Sequence, residues 1–131
     1  MLLVPTYLSE SAIHGIGMFA AKPIPADTRI WSFDPRVDWK IRPDELEAFP
    51  EPYRSRLHAW SYLDDDGLYV VCGDNAKFMN HTESPNCDDP EGNFTVTNRA
   101  IEAGEELTCN YFTFDRESAA TGLNFEVQSA R

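Results

Sequence analysis

The sequence predicts a mostly β domain of short strands with one helical insert. Three observations carry that reading. Apolar, β-branched and aromatic residues fall in short runs at 2–8, 17–20, 29–33, 68–72, 94–98 and 106–111. Turn chemistry bounds these runs, including Asp66-Gly67 and Ala103-Gly104. Helical patterning is confined to the region from residue 43 to about 60. At 131 residues the chain is sized for one domain, 1–131, and it holds no repeat, low-complexity tract or Gly/Ser-rich linker.

Each element follows from its residues. The run 2–8 opens the domain, and Gly15-Ile16-Gly17 turns the chain into the run 17–20. Lys22-Pro23-Ile24-Pro25 prevents a helix from following. Pro43 suits the first turn of a helix, while Pro50 and Pro52 split the helical region into two short pieces. Asp74 is placed to cap a brief turn over 76–79. Phe94-Thr95-Val96-Thr97 alternates apolar and polar residues, as a half-buried strand does. The last run, 106–111, ends on an aromatic residue.

Composition narrows the function classes. With 42% apolar and 25% charged residues the chain can bury an ordinary core and is no disordered tail. Asp plus Glu number 22 against 11 Lys plus Arg, a formal charge of −11. That field repels nucleic-acid phosphates and anionic membranes and attracts basic peptides, so neither nucleic acid nor membrane is an expected partner. No stretch approaches the ~20 apolar residues of a membrane helix, and the start MLLVPTYLSES lacks a basic n-region. The three cysteines are odd in number and form no CxxC, against a disulfide framework or a structural zinc. The expectation is therefore no metal and a cytoplasmic or other intracellular reducing compartment, nuclear if the protein acts on host chromatin.

Three segments carry candidate chemistry. In His14-Gly15-Ile16-Gly17-Met18-Phe19-Ala20 the two glycines permit a tight turn and close backbone approach to a ligand. It lacks the third glycine and following helix of a dinucleotide fold. Phe78-Met79-Asn80-His81-Thr82-Glu83-Ser84-Pro85-Asn86-Cys87 joins an apolar approach to a polar, turn-rich exit. His81 with Cys87 is also conceivable as a nucleophile dyad, although no third member is evident. Ala103-Gly104-Glu105-Glu106-Leu107-Thr108-Cys109-Asn110-Tyr111 reads as a turn followed by a strand.

The order and spacing of these segments, from His14 to Tyr111, resemble the SET domain of protein-lysine methyltransferases. The length is similar to the minimal SET domains of viral and bacterial proteins. The resemblance implies a β-clip-like fold of small curved sheets, with a C-terminal knot-like crossing that brings Asn80-His81 beside Tyr111. It implies S-adenosylmethionine as cofactor. The backbone at Gly15, Ile16, Gly17 and Met18 would hold its methionine end, and Asn80 and His81 its adenine and body. The implied activity is transfer of methyl groups to a lysine of a basic protein or peptide, possible substrates including a histone. Tyr111 would be the catalytic residue and would line the lysine channel. The other reading is an inactive SET-fold module that binds cofactor or a basic peptide without turnover.

The departures from the family are as informative. The tail 112–131 lacks the cysteine-rich zinc segment of many relatives, leaving Phe112, Phe114 or Phe125 to close the cofactor pocket; Phe125 is the favoured lid. Cys109 stands where the family usually has a phenylalanine or tyrosine governing the number of methyls added. Trp31, Phe33, Tyr53, Trp60 and Tyr62 are the candidates for the remaining channel wall, with Tyr62 preferred.

Overall fold

A computed structural model describes residues 1–121 of the chain. Ten short strands, numbered in chain order, are found among them: β1 (Thr6–Glu10), β2 (Ile16–Ala20), β3 (Arg29–Ser32), β4 (Trp39–Ile41), β5 (Ser61–Leu63), β6 (Tyr69–Val71), β7 (Asn80–His81), β8 (Cys87–Asp88), β9 (Phe94–Thr97) and β10 (Thr108–Cys109). Three helices accompany them: α1 (Pro43–Glu47), α2 (Tyr53–Trp60) and α3 (Arg116–Thr121), with 3₁₀ turns at Asn75–Phe78 and Tyr111–Thr113. None of these helices is long and apolar enough to cross a membrane.

The strands form four small sheets: the hairpin β1-β2, the sheets β3-β9-β8 and β4-β6-β5, and the pair β10-β7. Only β10-β7 is parallel. Mostly β architecture with one helical insert is thus what the sequence predicts. Met18, Ile30, Cys87, Leu107 and Cys109 form the main core between the sheets. The insert packs through Leu46 of α1 and Leu57 of α2, both fully buried, against Tyr69 and Val71 of the central strand β6. Pro43 in the first turn of α1 and the proline pair at 50 and 52 give the two short helices expected.

Several boundaries differ from the sequence reading, for identifiable reasons. The run 2–8 is two pieces. Leu2 bridges to Trp31 and the Leu3 N–H donates to Ile30 O at 2.8 Å, whereas the chain beyond Pro5 pairs with β2. Proline has no N–H to continue a ladder, so the chain changes sheets there. The run 106–111 yields only Thr108–Cys109 as strand. The Asn110 side chain accepts from Phe112 N at 3.0 Å and starts the 3₁₀ turn that holds Tyr111. In β9 the alternation is present, but the threonines face inward: Thr95 and Thr97 are buried and Phe94 and Val96 are not. Their hydroxyls find partners, Thr97 Oγ1 donating to Pro25 O at 2.8 Å and Thr95 Oγ1 to Asp89 Oδ1.

Candidate active site

The site is organised by the parallel pair β7-β10, which sets Thr108 opposite Asn80 and Cys109 opposite His81. Asn86 fixes this crossing. Its Oδ1 accepts from Thr108 N at 2.8 Å, its N–H donates to Thr108 Oγ1 at 3.1 Å, and its Nδ2 donates to Glu106 O at 2.8 Å. Past the crossing, Tyr111 N donates to His81 Nδ1 at 3.0 Å, between residues 30 apart in sequence. The crossing therefore brings Asn80 and His81 beside Tyr111. Accepting at Nδ1 leaves the proton of the neutral imidazole on Nε2. Burial holds His81 below the ordinary imidazole pKa, outweighing the opposing pull of the Glu83 carboxylate.

The glycine loop before β2 is held from below by side chains. Asn80 Nδ2 donates to His14 O at 2.9 Å, to Ile16 O at 3.4 Å and to Glu106 Oε2 at 3.0 Å. Ser11 Oγ donates to Glu106 Oε1 at 2.7 Å and accepts from Ile13 N at 3.0 Å and His14 N at 3.2 Å. Gly15 has φ +46°, in the left-handed region, and a Cβ there would meet nothing within 4 Å. Gly17 is needed for another reason: a Cβ there would strike the Glu106 carboxylate. The close approach expected toward a ligand is, at Gly17, an approach to Glu106.

Two of the expected cofactor contacts have buried side chains. The Asn80 side chain is fully buried and its amide serves the loop rather than facing solvent. Met18 is fully buried, its carbonyl accepts from Leu107 N at 2.9 Å, and it belongs to the wall of the cavity described next. Gly15, Ile16 and the partly exposed His81 remain accessible. Phe125 lies outside the described residues. Glu106, which ties Ser11, Gly17 and Asn80 together, lies in the third segment but has no site role in the sequence reading; a carboxylate in a Gly-Glu-Glu turn gives no sign of such a role until the loop is folded against it.

A cavity of ≈ 70 Å³ lies against the crossing, and its lining includes Tyr62, Cys109 and Tyr111 together with Trp60, Phe114 and Asp89. Tyr62 and Phe114 meet edge-on at 5.0 Å, and Tyr111 and Phe114 at 5.9 Å between ring centroids. Each tyrosine is anchored by its hydroxyl, Tyr62 donating to Gly92 O at 2.8 Å and Tyr111 to Met79 O. Burial pushes the Tyr62 phenol well above its usual range. Trp31 also lines the cavity, whereas Phe33 and the exposed Tyr53 do not. Phe112 is exposed and lies edge-on to His81 at 5.1 Å.

The Cys87–His81 dyad is not formed. Cys87 is fully buried, its thiol donates to Asn86 Oδ1 at 3.4 Å, and burial pushes its pKa up to about 12. That removes the thiolate a nucleophile requires.

Comparison with known proteins bears on this geometry. Residues 15–112 match the family model of the SET domain. The chain is 34% identical over 126 residues to a histone-lysine N-methyltransferase of Candida albicans that is specific for lysine 4 of histone H3, covering 87% of this chain and 12% of that relative. It is 33% identical over 84 residues to histone-lysine N-methyltransferase SETD1 of Drosophila melanogaster, covering 60% of this chain and 5% of the relative. The chain thus spans a small part of the curated relatives it matches. Among solved structures, a humanized mutant of the Chaetomium thermophilum Polycomb Repressive Complex 2 superposes with a TM-score of 0.63 at 22% identity, over 88% of this chain and 16% of that one. A Plasmodium falciparum candidate histone methyltransferase superposes with a TM-score of 0.60 at 17% identity, over 84% of this chain and 95% of that one. These two are likenesses of fold.

Proposed function

The chain belongs to the SET-domain family, and from that premise we propose that it is a protein-lysine N-methyltransferase that uses S-adenosylmethionine and modifies a lysine of a basic protein, a histone being the class its relatives' names indicate. The observation that carries this reading is the meeting of Tyr62, Cys109 and Tyr111 in one aromatic-walled cavity against the β7-β10 crossing.

The residues suit the cofactor. Space is open over Gly15, and the buried Oδ1 of Asn80 has no hydrogen-bond partner among the described residues, an acceptor left beneath the loop. In this reading Gly15, Ile16, His81 and the Asn80 Oδ1 acceptor meet the ligand, while Asn80 Nδ2, Ser11 and Glu106 set the loop's shape. When bound, S-adenosylmethionine supplies a methyl group activated on a sulfonium.

What the chain's own residues do is chiefly positional. Amine, methyl carbon and sulfur must be collinear at near-attack distance, and a narrow aromatic wall restricts the lysine stem to that line. The amine must also be neutral. Deprotonating a lysine of pKa ~10.4 near pH 7.4 costs about 4 kcal/mol, and an apolar wall lowers that cost by disfavouring the ammonium. The Tyr111 hydroxyl, held on Met79 O, orients the amine.

Calorimetric titration with S-adenosylmethionine, with a chelator present, tests this reading. The expected outcome is binding by the wild-type chain and much weaker binding by His81→Ala. Absence of heat and of any thermal shift at millimolar cofactor would contradict it.

A further inference from the structure

We propose that Asp89 takes the proton from the ammonium of the target lysine, an inference that rests on the methyltransferase reading of the cavity. Two carboxylates line that cavity, Asp89 and Asp115. Asp115 is committed to structure: it accepts from Leu63 N at 2.9 Å, Glu117 N at 3.2 Å and Ser118 Oγ at 2.7 Å. Asp89 is held through one oxygen, Oδ1, by the inward-facing hydroxyl of Thr95. Its other oxygen makes no hydrogen bond among the described residues.

Position makes Asp89 suitable as a proton outlet. With Phe114 it lines both the apolar cavity and an adjoining cleft of ≈ 160 Å³ bordered by Asp64, Asp66, Glu91 and Lys40. Asp89 thus borders both the space read as the lysine channel and a polar opening. Burial raises its pKa to about 6, more than the Thr95 bond lowers it. A carboxyl near that value accepts a proton at neutral pH and releases it again to water.

The step balances as follows. A lysine N–H bond breaks as an O–H bond forms on Asp89, leaving a neutral amine. The amine lone pair then forms the N–C bond to the methyl carbon while the C–S bond pair returns to sulfur. Asp89 passes its proton to water in the cleft and is ionised again.

The titratable groups around Asp89 separate into two kinds. Cys87 beside it, Cys72 beyond β6 and Tyr62 on β5 are pushed up by burial and stay neutral at physiological pH. The charged side chains nearby are Asp88, the preceding residue at the end of β8, and Lys77 of the 3₁₀ turn and Asp115 before α3, which share the cavity lining. On the cleft side Lys40 pairs with Asp64 at 3.1 Å and Arg116 with Asp65, leaving Asp66 and Glu91 as the further acids. An Asp89→Asn chain keeps all of these, so it isolates the one carboxyl.

Single-turnover methyl transfer from labelled S-adenosylmethionine to core histones and to a basic-peptide library, followed between pH 5 and 9 with wild type, Asp89→Asn and Asp89→Glu, tests the proposal. Wild type should show an acid limb with a midpoint near 6. Asp89→Asn should lose that limb and fall about 100-fold in rate at neutral pH, with Asp89→Glu recovering part of it. Carbon-13 NMR of the unliganded chain should show a carboxyl titrating near 6 that is missing in Asp89→Asn. Should Asp89→Asn not fold, Thr95→Val supplies the same test, because removing its hydrogen bond should move the limb upward. An Asp89→Asn enzyme with wild-type rate and pH profile, or an unmoved limb in Thr95→Val, would overturn the role of Asp89 alone. No methyl transfer by the wild type to any of these substrates would overturn the methyltransferase reading and this inference with it.

Discussion

The backbone N–H of Tyr111 donates to Nδ1 of His81 at 3.0 Å, and this bond joins the two motifs on either side of the β7-β10 crossing. It exists only while Nδ1 carries no proton. The fold therefore couples the charge of His81 to the placement of Tyr111.

Acid should loosen this junction. Burial lowers the folded-state pKa of His81 below the 6.5 of a free imidazole, so the unfolded chain takes up the proton first. Its contribution to stability is thus complete above 6.5 and declines as pH falls below it toward the lower folded value. The thermal midpoint of wild type should drop more between pH 7 and 5 than that of His81→Gln. Equal drops in the two chains would show that His81 does not titrate against the fold.

Gly17 and Glu106 should be energetically coupled. A Cβ at residue 17 would strike a carboxylate that Asn80 and Ser11 hold in place. Gly17→Ala should cost about 1–3 kcal/mol in the wild-type background, the usual penalty of overpacking. In an Glu106→Ala background the same change should cost distinctly less, a coupling that a double-mutant cycle from denaturant unfolding measures. Additive costs would mean that the loop yields at no expense.

The acidic side of the molecule should steer a basic substrate. Asp64, Asp65, Asp66 and Glu91 border the cleft that adjoins the cavity, on a chain of formal charge −11. Salt shortens the reach of such charges, from a Debye length of about 10 Å at 0.1 M to about 3 Å at 1 M. The KM for a lysine-rich peptide should therefore rise when salt is raised from 50 to 500 mM, with kcat changing less. A salt-independent KM would leave these charges a role in solubility alone.

The side chain at 109 should set the number of methyls added. Cys109 is buried in the cavity wall, and its thiol is a weak donor of small bulk. The wild type should proceed to di- or trimethyl-lysine on long incubation, and Cys109→Tyr, which fills part of a ≈ 70 Å³ space and adds a hydroxyl, should shift product toward monomethyl-lysine by mass spectrometry. The same mixture from both chains would place control elsewhere.

How much of this was legible in the sequence depended on whether the cause was local. The hairpin at Gly15, the two helices around Pro50 and Pro52 and the Asp74 cap all follow from residues within one turn of each other. The short strands β4, β5, β7 and β8, of two or three residues, are too brief for periodicity to register. Inward-facing Thr95 and Thr97 defeated the rule that apolar residues point to the core, because their partners Asp89 and Pro25 are brought to them by tertiary structure. For the site, Asn80, His81 and Tyr111 each say little alone; the order and spacing of their segments, and with it their convergence, came with the family resemblance. Glu106 and Asp89 carry no local signal, since what makes each distinctive is a neighbour from a distant strand or loop.

The central claim, that this chain transfers methyl groups to lysine through the site around Tyr111, is tested most directly by mass spectrometry of a lysine-containing basic protein after incubation with S-adenosylmethionine and either wild type or Tyr111→Phe. The account predicts methyl additions on lysine with the wild type and an initial rate at least about 10-fold lower with the folded variant, equivalent to about 1.4 kcal/mol of transition-state stabilisation. Equal rates from the two chains, or no methylated lysine from the wild type, would contradict it.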